Sequence, residues 1–229
     1  PYLQTRKDIQ VLCVTSSVPG EGKTFCSVNL ASVYAMSGKR TLVLFADLRR
    51  PRIDKELEVN TDFGLSNVLI GKSKLADVIQ ESSVKNLYVL TSGPTPPNPA
   101  ELLGDRKMDE VMEELKKSFD CIIIDTPPLG LVADSLLMLK YSDVTCYIVR
   151  HNYTRKLFLR KINEMFEEKK IHNICLIIND IAGDTVGYGY GYGYRYGGYG
   201  YHHYGYFDDE STTFWKKLIK SITGRFFKK

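Results

Sequence analysis

The chain has 229 residues, 43% of them hydrophobic, which is enough for one substantial α/β core and little more. Its formal net charge is +4. That near-balance excludes a chain-wide nucleic-acid footprint, so any basic feature has to be argued locally. The five cysteines are an odd number and lie mostly in apolar runs such as VLCVT and CIIID. With no CxxC pair and no Cys/His metal spacing, they read as buried, reduced thiols of a cytosolic domain. No apolar run approaches the ~20 residues of a membrane span. The sequence opens at Pro1, without Met, as expected of a domain excised from a longer protein.

In chain order, Val11–Thr15 is an apolar, β-rich run followed at once by Gly, Ser and Pro. Lys23–Ser37 reads as a helix, with Cys26, Leu30, Val33 and Tyr34 at helical spacing and Gly38 as its stop. Thr41–Ala46 is a second strand and Leu87–Leu90 a third. Asp105–Lys117 is a charged amphipathic helix. Cys121–Ile124 is a strand-length apolar run that ends at Asp125. Val144–Val149 and Ile174–Ile178 complete the strands, with a helical stretch near Arg155–Lys169 between them. Strands that are apolar on both faces and alternate with helices predict a mostly parallel sheet covered on both sides. Ligands of such sheets bind at the carboxyl ends of the strands.

The residues with chemistry fall at those ends. Residues 16–24 read SSVPGEGKT between a strand and a helix, with Ser17 where GxxxxGK[ST] has its first Gly. In that setting the backbone around Gly20 and Gly22 can wrap phosphates, Lys23 can reach the β and γ oxygens, and Thr24 can ligate Mg2+. Asp125 ends its own strand, where a carboxylate can serve the same metal shell. After the second strand comes FADLRRPR, with Asp47 as a further acid and Arg49, Arg50 and Arg52 as a local basic cluster.

The composition changes after Gly183. Residues 187–207 alternate Gly with Tyr188, Tyr190, Tyr192, Tyr194, Tyr196, Tyr199, Tyr201, Tyr204 and Tyr206. With no aliphatic residue to seed a core, this reads as a mobile tail, and an aromatic stacking or phase-separating role is the alternative. In Ser211–Lys229, Trp215, Leu218, Ile219, Ile222 and Phe226 share one helical face, interleaved with basic residues. This fits a helix on an anionic membrane surface; an amphipathic helix packed on its own domain, or a disordered segment, is the alternative. The expected organisation is a P-loop domain over 1–186, a Gly/Tyr tail over 187–207 and a basic amphipathic segment over 208–229.

VTSSVPGEGKT (14–24), LVLFADLRRP (42–51), IIIDTPP (122–128), PPNPAELL (96–103) and the tyrosine cluster together resemble the bacterial tyrosine kinases of polysaccharide export. These are P-loop enzymes related to the MinD and ParA ATPases. The likeness covers about residues 10–207. It implies a P-loop NTPase fold and ATP with Mg2+ as cofactors. It implies a nucleotide-binding set of Gly20, Glu21, Gly22, Lys23, Thr24, Phe25 and Asn179, a metal set of Thr24, Asp47 and Asp125, and catalytic roles for Lys23, Asp47, Arg49 and Asp125. Asn179 is similar to the adenine-reading Asn of the related ATPases, and it also reads as a turn residue. The tyrosines would be phosphorylated in trans by a neighbouring subunit of a ring. The resemblance further implies a membrane region in the same full-length chain, a partner tyrosine phosphatase, and a place on the cytoplasmic side of the bacterial inner membrane; no nucleic-acid partner is expected. Two features depart from the family. Phe45 replaces the first Asp of its DxDxR signature, and a ring-forming ExxRxxR segment is missing before the first strand. Two other readings stay open: a MinD/ParA-type ATPase switch, and a nucleotide-binding scaffold without catalysis.

Overall fold

The computed structural model describes residues 10–51, 57, 59–130, 134–169, 171 and 173–181. Arg52, the Gly/Tyr tail with its nine tyrosines, and the basic segment 208–229 lie outside the described residues. Among the described residues, seven strands form one sheet: β1 (Val11–Ser16), β2 (Thr41–Phe45), β3 (Ile79–Glu81), β4 (Leu87–Leu90), β5 (Cys121–Asp125), β6 (Val144–Arg150) and β7 (Ile174–Asn179). Their order across the sheet is β3-β4-β2-β5-β1-β6-β7, and only the β3–β4 pair is antiparallel. The central strands β1, β2 and β5 are buried along their whole length, which explains why they read as continuous apolar runs.

The helices are α1 (Lys23–Met36), α2 (Leu65–Leu69), α3 (Leu75–Val78), α4 (Pro99–Gly104), α5 (Arg106–Ser118), α6 (Asp134–Leu139) and α7 (Lys156–Glu167). Alternation along β6 shows how they cover the sheet. Val144, Cys146 and Ile148 pack into the cluster that holds Val28, Ala31 and Ala35 of α1. Tyr147 points to the other face and packs with Ile162 of α7. Helix α5 shows why a charged segment is helical here. Asp105 caps it, accepting from the Lys107 N–H at 2.7 Å. Met108, Val111, Met112 and Leu115 form its buried stripe, and Lys116 and Lys117 sit at the negative end of its dipole. Met112 is fully buried, so Met112→Ala should cost about 2–5 kcal/mol in urea unfolding. At the β7 edge the cover is thinner, and Leu176 and Ile178 remain 58% and 59% exposed.

The expected strands and long helices appear, with ends displaced by a residue or so. All five cysteines are free; Cys13, Cys121 and Cys146 are buried as expected, whereas Cys26 on α1 and Cys175 on the edge strand β7 are only partly buried. Strand β3 and the short helices α2, α3, α4 and α6 are additions. Among the described residues, no helix is long and apolar enough to cross a membrane.

Candidate nucleotide site at the carboxyl ends of the strands

Between β1 and α1 the chain must turn sharply while its N–H groups converge. Gly20 and Gly22 allow this with φ of +87° and +93°, in the left-handed region. Helix α1 begins at Lys23 with no side-chain cap and no acidic residue in its first turn. Its leading N–H groups and its dipole therefore suit an anion supplied from outside the helix. A Cβ on Gly22 would overlap Asn179 Nδ2, besides being strained at that φ. Gly22→Ala is expected to weaken Mg-ADP binding at least ~10-fold, since a small displacement of positioning groups is costly; a fluorescent ADP titration measures it.

Asp125 lies opposite this loop. Its backbone pairs with Val14 of β1 and with Phe45 of β2, which puts it at the centre of the sheet's carboxyl edge. The Thr24 hydroxyl donates to Asp125 Oδ2 at 2.7 Å and the Ser27 hydroxyl to Oδ1 at 3.0 Å. Burial pushes the Asp125 carboxyl up to about 6, against the lowering influence of Thr24, Lys23 and Ser27. A desolvated carboxylate beside a hydroxyl is a hard-oxygen pair that favours a small divalent cation. The donor set thus fits Mg2+, with Thr24 and Asp125 as the groups that would hold it. Among the described residues no cluster of three or more His, Cys, Asp or Glu offers another metal site.

Asp47 is close enough to raise the Asp125 pKa by its charge, and its Oδ1 accepts the N–H groups of Arg49 and Arg50 at 3.1 and 2.9 Å. Arg49 is engaged with Asp134 of α6 through Nε to Oδ2 at 2.6 Å and Nη2 to Oδ1 at 3.1 Å. Asp134 is 1% exposed, so this fork holds α6 against the loop after β2. Asn179 meets the phosphate loop, with Nδ2 donating to the Glu21 carbonyl at 3.0 Å. The Glu21 side chain is buried and structural: Oε2 accepts the Val18 N–H at 2.8 Å and Oε1 accepts the Thr154 hydroxyl. Phe25 is 40% exposed. Ser17, in place of the usual Gly, is used: its hydroxyl bonds the Tyr147 hydroxyl at 2.5 Å, and its carbonyl accepts the Gly130 N–H at 3.1 Å. Phe45 is 3% exposed in the apolar cluster against α1.

Ser27, Asp134, Arg150, Tyr153 and Thr154 contribute to the site without having been predicted. Ser27 was findable, because it lies one helical turn beyond Thr24 on the same face of α1. The others come from distant segments whose local sequence carries no phosphate signature.

A mostly parallel sheet with an uncapped glycine-rich loop before α1, and a buried carboxylate facing that helix's first hydroxyl, defines a P-loop nucleotide-binding domain. Residues 9–153 match the family described as an AAA domain. The chain is 37% identical over 178 residues to the tyrosine-protein kinase YwqD of Bacillus subtilis, covering 78% of this chain and 75% of that protein. It is equally identical to the tyrosine-protein kinase ptk of Acinetobacter johnsonii, covering 78% of this chain but 24% of that much longer protein. The kinase domain of the Escherichia coli tyrosine kinase ETK superposes with a TM-score of 0.74 at 31% identity, covering 84% of this chain and 76% of that one. The chain belongs to the family of bacterial tyrosine-protein kinases. MinD of Pyrococcus horikoshii, solved with Mg-ADP, shares the fold with a TM-score of 0.62 at 23% identity, covering 77% of this chain and 75% of that one.

Proposed function

We propose that this chain is an ATP-dependent protein-tyrosine autokinase whose acceptors are the tyrosines of residues 188–206. The observation that carries the reading is the Thr24–Asp125–Ser27 constellation beside Lys23, in a family member that carries a tyrosine cluster over residues 188–206. The phosphate loop and the α1 N-terminus bind the ATP phosphates, and Lys23 neutralises charge on the β and γ oxygens. When bound, Mg2+ supplies further charge neutralisation between Thr24 and Asp125. A tyrosine hydroxyl oxygen forms the new bond to the γ-phosphorus, the bond from that phosphorus to the bridging oxygen breaks, and ADP leaves. The phenolic proton goes to the Asp47 carboxylate, which two backbone N–H groups hold in place through Oδ1. Arg49, anchored on Asp134, fixes the start of the loop that carries Asp47.

Transfer in trans between subunits of a ring fits a tail of many equivalent acceptors. Each phosphate adds about −1.5 to −2 charge at neutral pH, which favours separation of the subunits and gives a tyrosine phosphatase its reset role. The full-length protein then acts with a membrane region at the cytoplasmic face of the inner membrane, in the control of capsular or exopolysaccharide synthesis and export.

Incubation of the chain with Mg-ATP, followed by intact mass and product analysis, tests the activity. Phosphotyrosine equal in amount to ADP supports the kinase. Inorganic phosphate equal to ADP, with unmodified tyrosines, would instead mean an ATPase switch. The scaffold reading is motivated by Phe45, and binding without turnover would favour it. Phe45→Asp does not cleanly restore the family signature. It buries a carboxylate among apolar side chains and should destabilise the fold by about 3–5 kcal/mol, read by urea unfolding.

A further inference from the structure

A phosphate loop works only if consecutive peptide planes are oriented with their N–H groups inward. In a trans peptide the carbonyl of one residue and the N–H of the next point in opposite directions, so whatever holds the carbonyl outward also sets the N–H. Three consecutive planes of this loop are held in that way. The Tyr153 hydroxyl donates to the Pro19 carbonyl at 3.0 Å. Arg150 Nη1 donates to the Gly20 carbonyl at 2.9 Å. Asn179 Nδ2 donates to the Glu21 carbonyl at 3.0 Å. The opposed groups are the N–H of Gly20, of Glu21 and of Gly22, which are the peptides a phosphate would meet.

All three donors come from one edge of the sheet, from the end of β6, the turn that follows it and the end of β7, some 130 residues or more from the loop in sequence. The donors are themselves tied together. Arg150 Nε donates to Asp180 Oδ2 at 2.9 Å, and its guanidinium lies 5.2 Å from the centre of the Tyr153 ring. Thr154 accepts the Arg150 N–H at 2.9 Å and donates to the buried Glu21 carboxylate.

We infer that Arg150 and Tyr153 are positioning residues for nucleotide binding, acting by capping the outward carbonyls of the phosphate loop. Neither has to touch the nucleotide. The inference rests on the reading of this loop as the phosphate site. It assigns a binding role to the β6–α7 turn and makes affinity for the phosphates depend on the sheet's edge.

Titration of fluorescent Mg-ADP against the wild type, Lys23→Met, Arg150→Gln, Arg150→Lys and Tyr153→Phe tests it, with the ligand-free melting temperature measured alongside. Each cap is one hydrogen bond, stronger where the donor is charged. Tyr153→Phe should therefore raise Kd about 3-fold and Arg150→Gln about 10-fold. Arg150→Lys should recover part of the loss, since an ammonium can still reach a carbonyl. Tyr153 is 50% exposed, and ligand-free melting should move by no more than about 2 °C for a surface change of this kind. Tyr153→Phe leaves the charge unchanged, so its effect cannot come from long-range attraction. Wild-type affinity in both Tyr153→Phe and Arg150→Gln, with binding still lost in Lys23→Met, would overturn the capping role and leave the nucleotide reading intact. Weaker binding that merely tracks a large fall in melting temperature would also overturn it, as a general loss of structure. A wild-type chain that binds no Mg-ADP would remove the nucleotide reading and the capping role with it.

Discussion

Replacing Lys23 with Met should reduce phosphate incorporation into tyrosines 188–206 by about 10²–10³-fold or more, the scale set by loss of one preorganised charge-stabilising group. Phosphoryl transfer asks little covalent chemistry of the protein and much positioning and charge neutralisation. Lys23 is the first residue of α1, and its charge already lowers the pKa of Asp125. Methionine keeps the length of the side chain and removes the charge. The substitution should leave the fold in place, with a far-UV spectrum and melting temperature close to wild type. Phosphotyrosine counted by mass spectrometry after incubation with Mg-ATP is the measurement. Undiminished incorporation would mean that the phosphate transferred is not held by this loop.

The second large effect belongs to Asp125. Its carboxyl is pushed from 3.8 up to about 6, chiefly by burial. The folded chain therefore holds this proton more tightly than the unfolded one. Stability contributed by the group is fully present below about pH 4, falls as pH rises through about 6, and is absent above that. A rise of about two units corresponds to an upper limit of about 3 kcal/mol. Without ligand, wild-type stability should thus be higher at pH 5 than at pH 7 as far as this group governs it. Asp125→Asn removes the charge and keeps an oxygen to accept from Thr24 or Ser27. It should raise ligand-free stability at pH 7 by about 1–3 kcal/mol and flatten the response between pH 5 and pH 7. The same variant should lose Mg-dependent nucleotide binding and phosphotransfer, because a neutral amide is a poor partner for a hard dication. Urea unfolding at the two pH values, with and without Mg-ATP, reads both halves. A variant less stable than wild type at pH 7 would show that the carboxylate is favourable even without a cation.

Such a trade, stability given up for binding, is expected where a site violates the rules that govern a core. It also bears on what could be read from the amino-acid order. The loop from Ser16 to Thr24 was legible because its chemistry is local: glycine, lysine and hydroxyl at fixed offsets between a strand and a helix. Asp125 was legible because a carboxylate ending CIIID has no place in a purely apolar strand. The sheet was legible in its central strands, where burial on both faces writes continuous apolar runs. Strand β3 was not, since three residues, IQE, at an edge carry no period. The Arg49–Asp134 fork was not, because it joins residues 85 apart and either partner alone reads as a solvated charge. Phe45 was visible as a departure from the family, but only packing shows that it serves the apolar cluster against α1.

The position of Asn179 has one more consequence, a geometric limit on the acceptors. Asn179 is bonded to the phosphate loop, and the proposed acceptors, tyrosines 188–206, follow it in the same chain, so the loop anchors the start of the segment that carries them. A chain advances at most about 3.3–3.6 Å per residue. From Asn179, Tyr188 can therefore travel no more than about 30 Å, whereas Tyr206 can travel about 90 Å. A neighbouring subunit's site roughly 50 Å away would be open to the distal tyrosines and closed to the proximal ones. In the proposed ring, the order in which the tyrosines acquire phosphate would then act as a ruler for the spacing of its subunits.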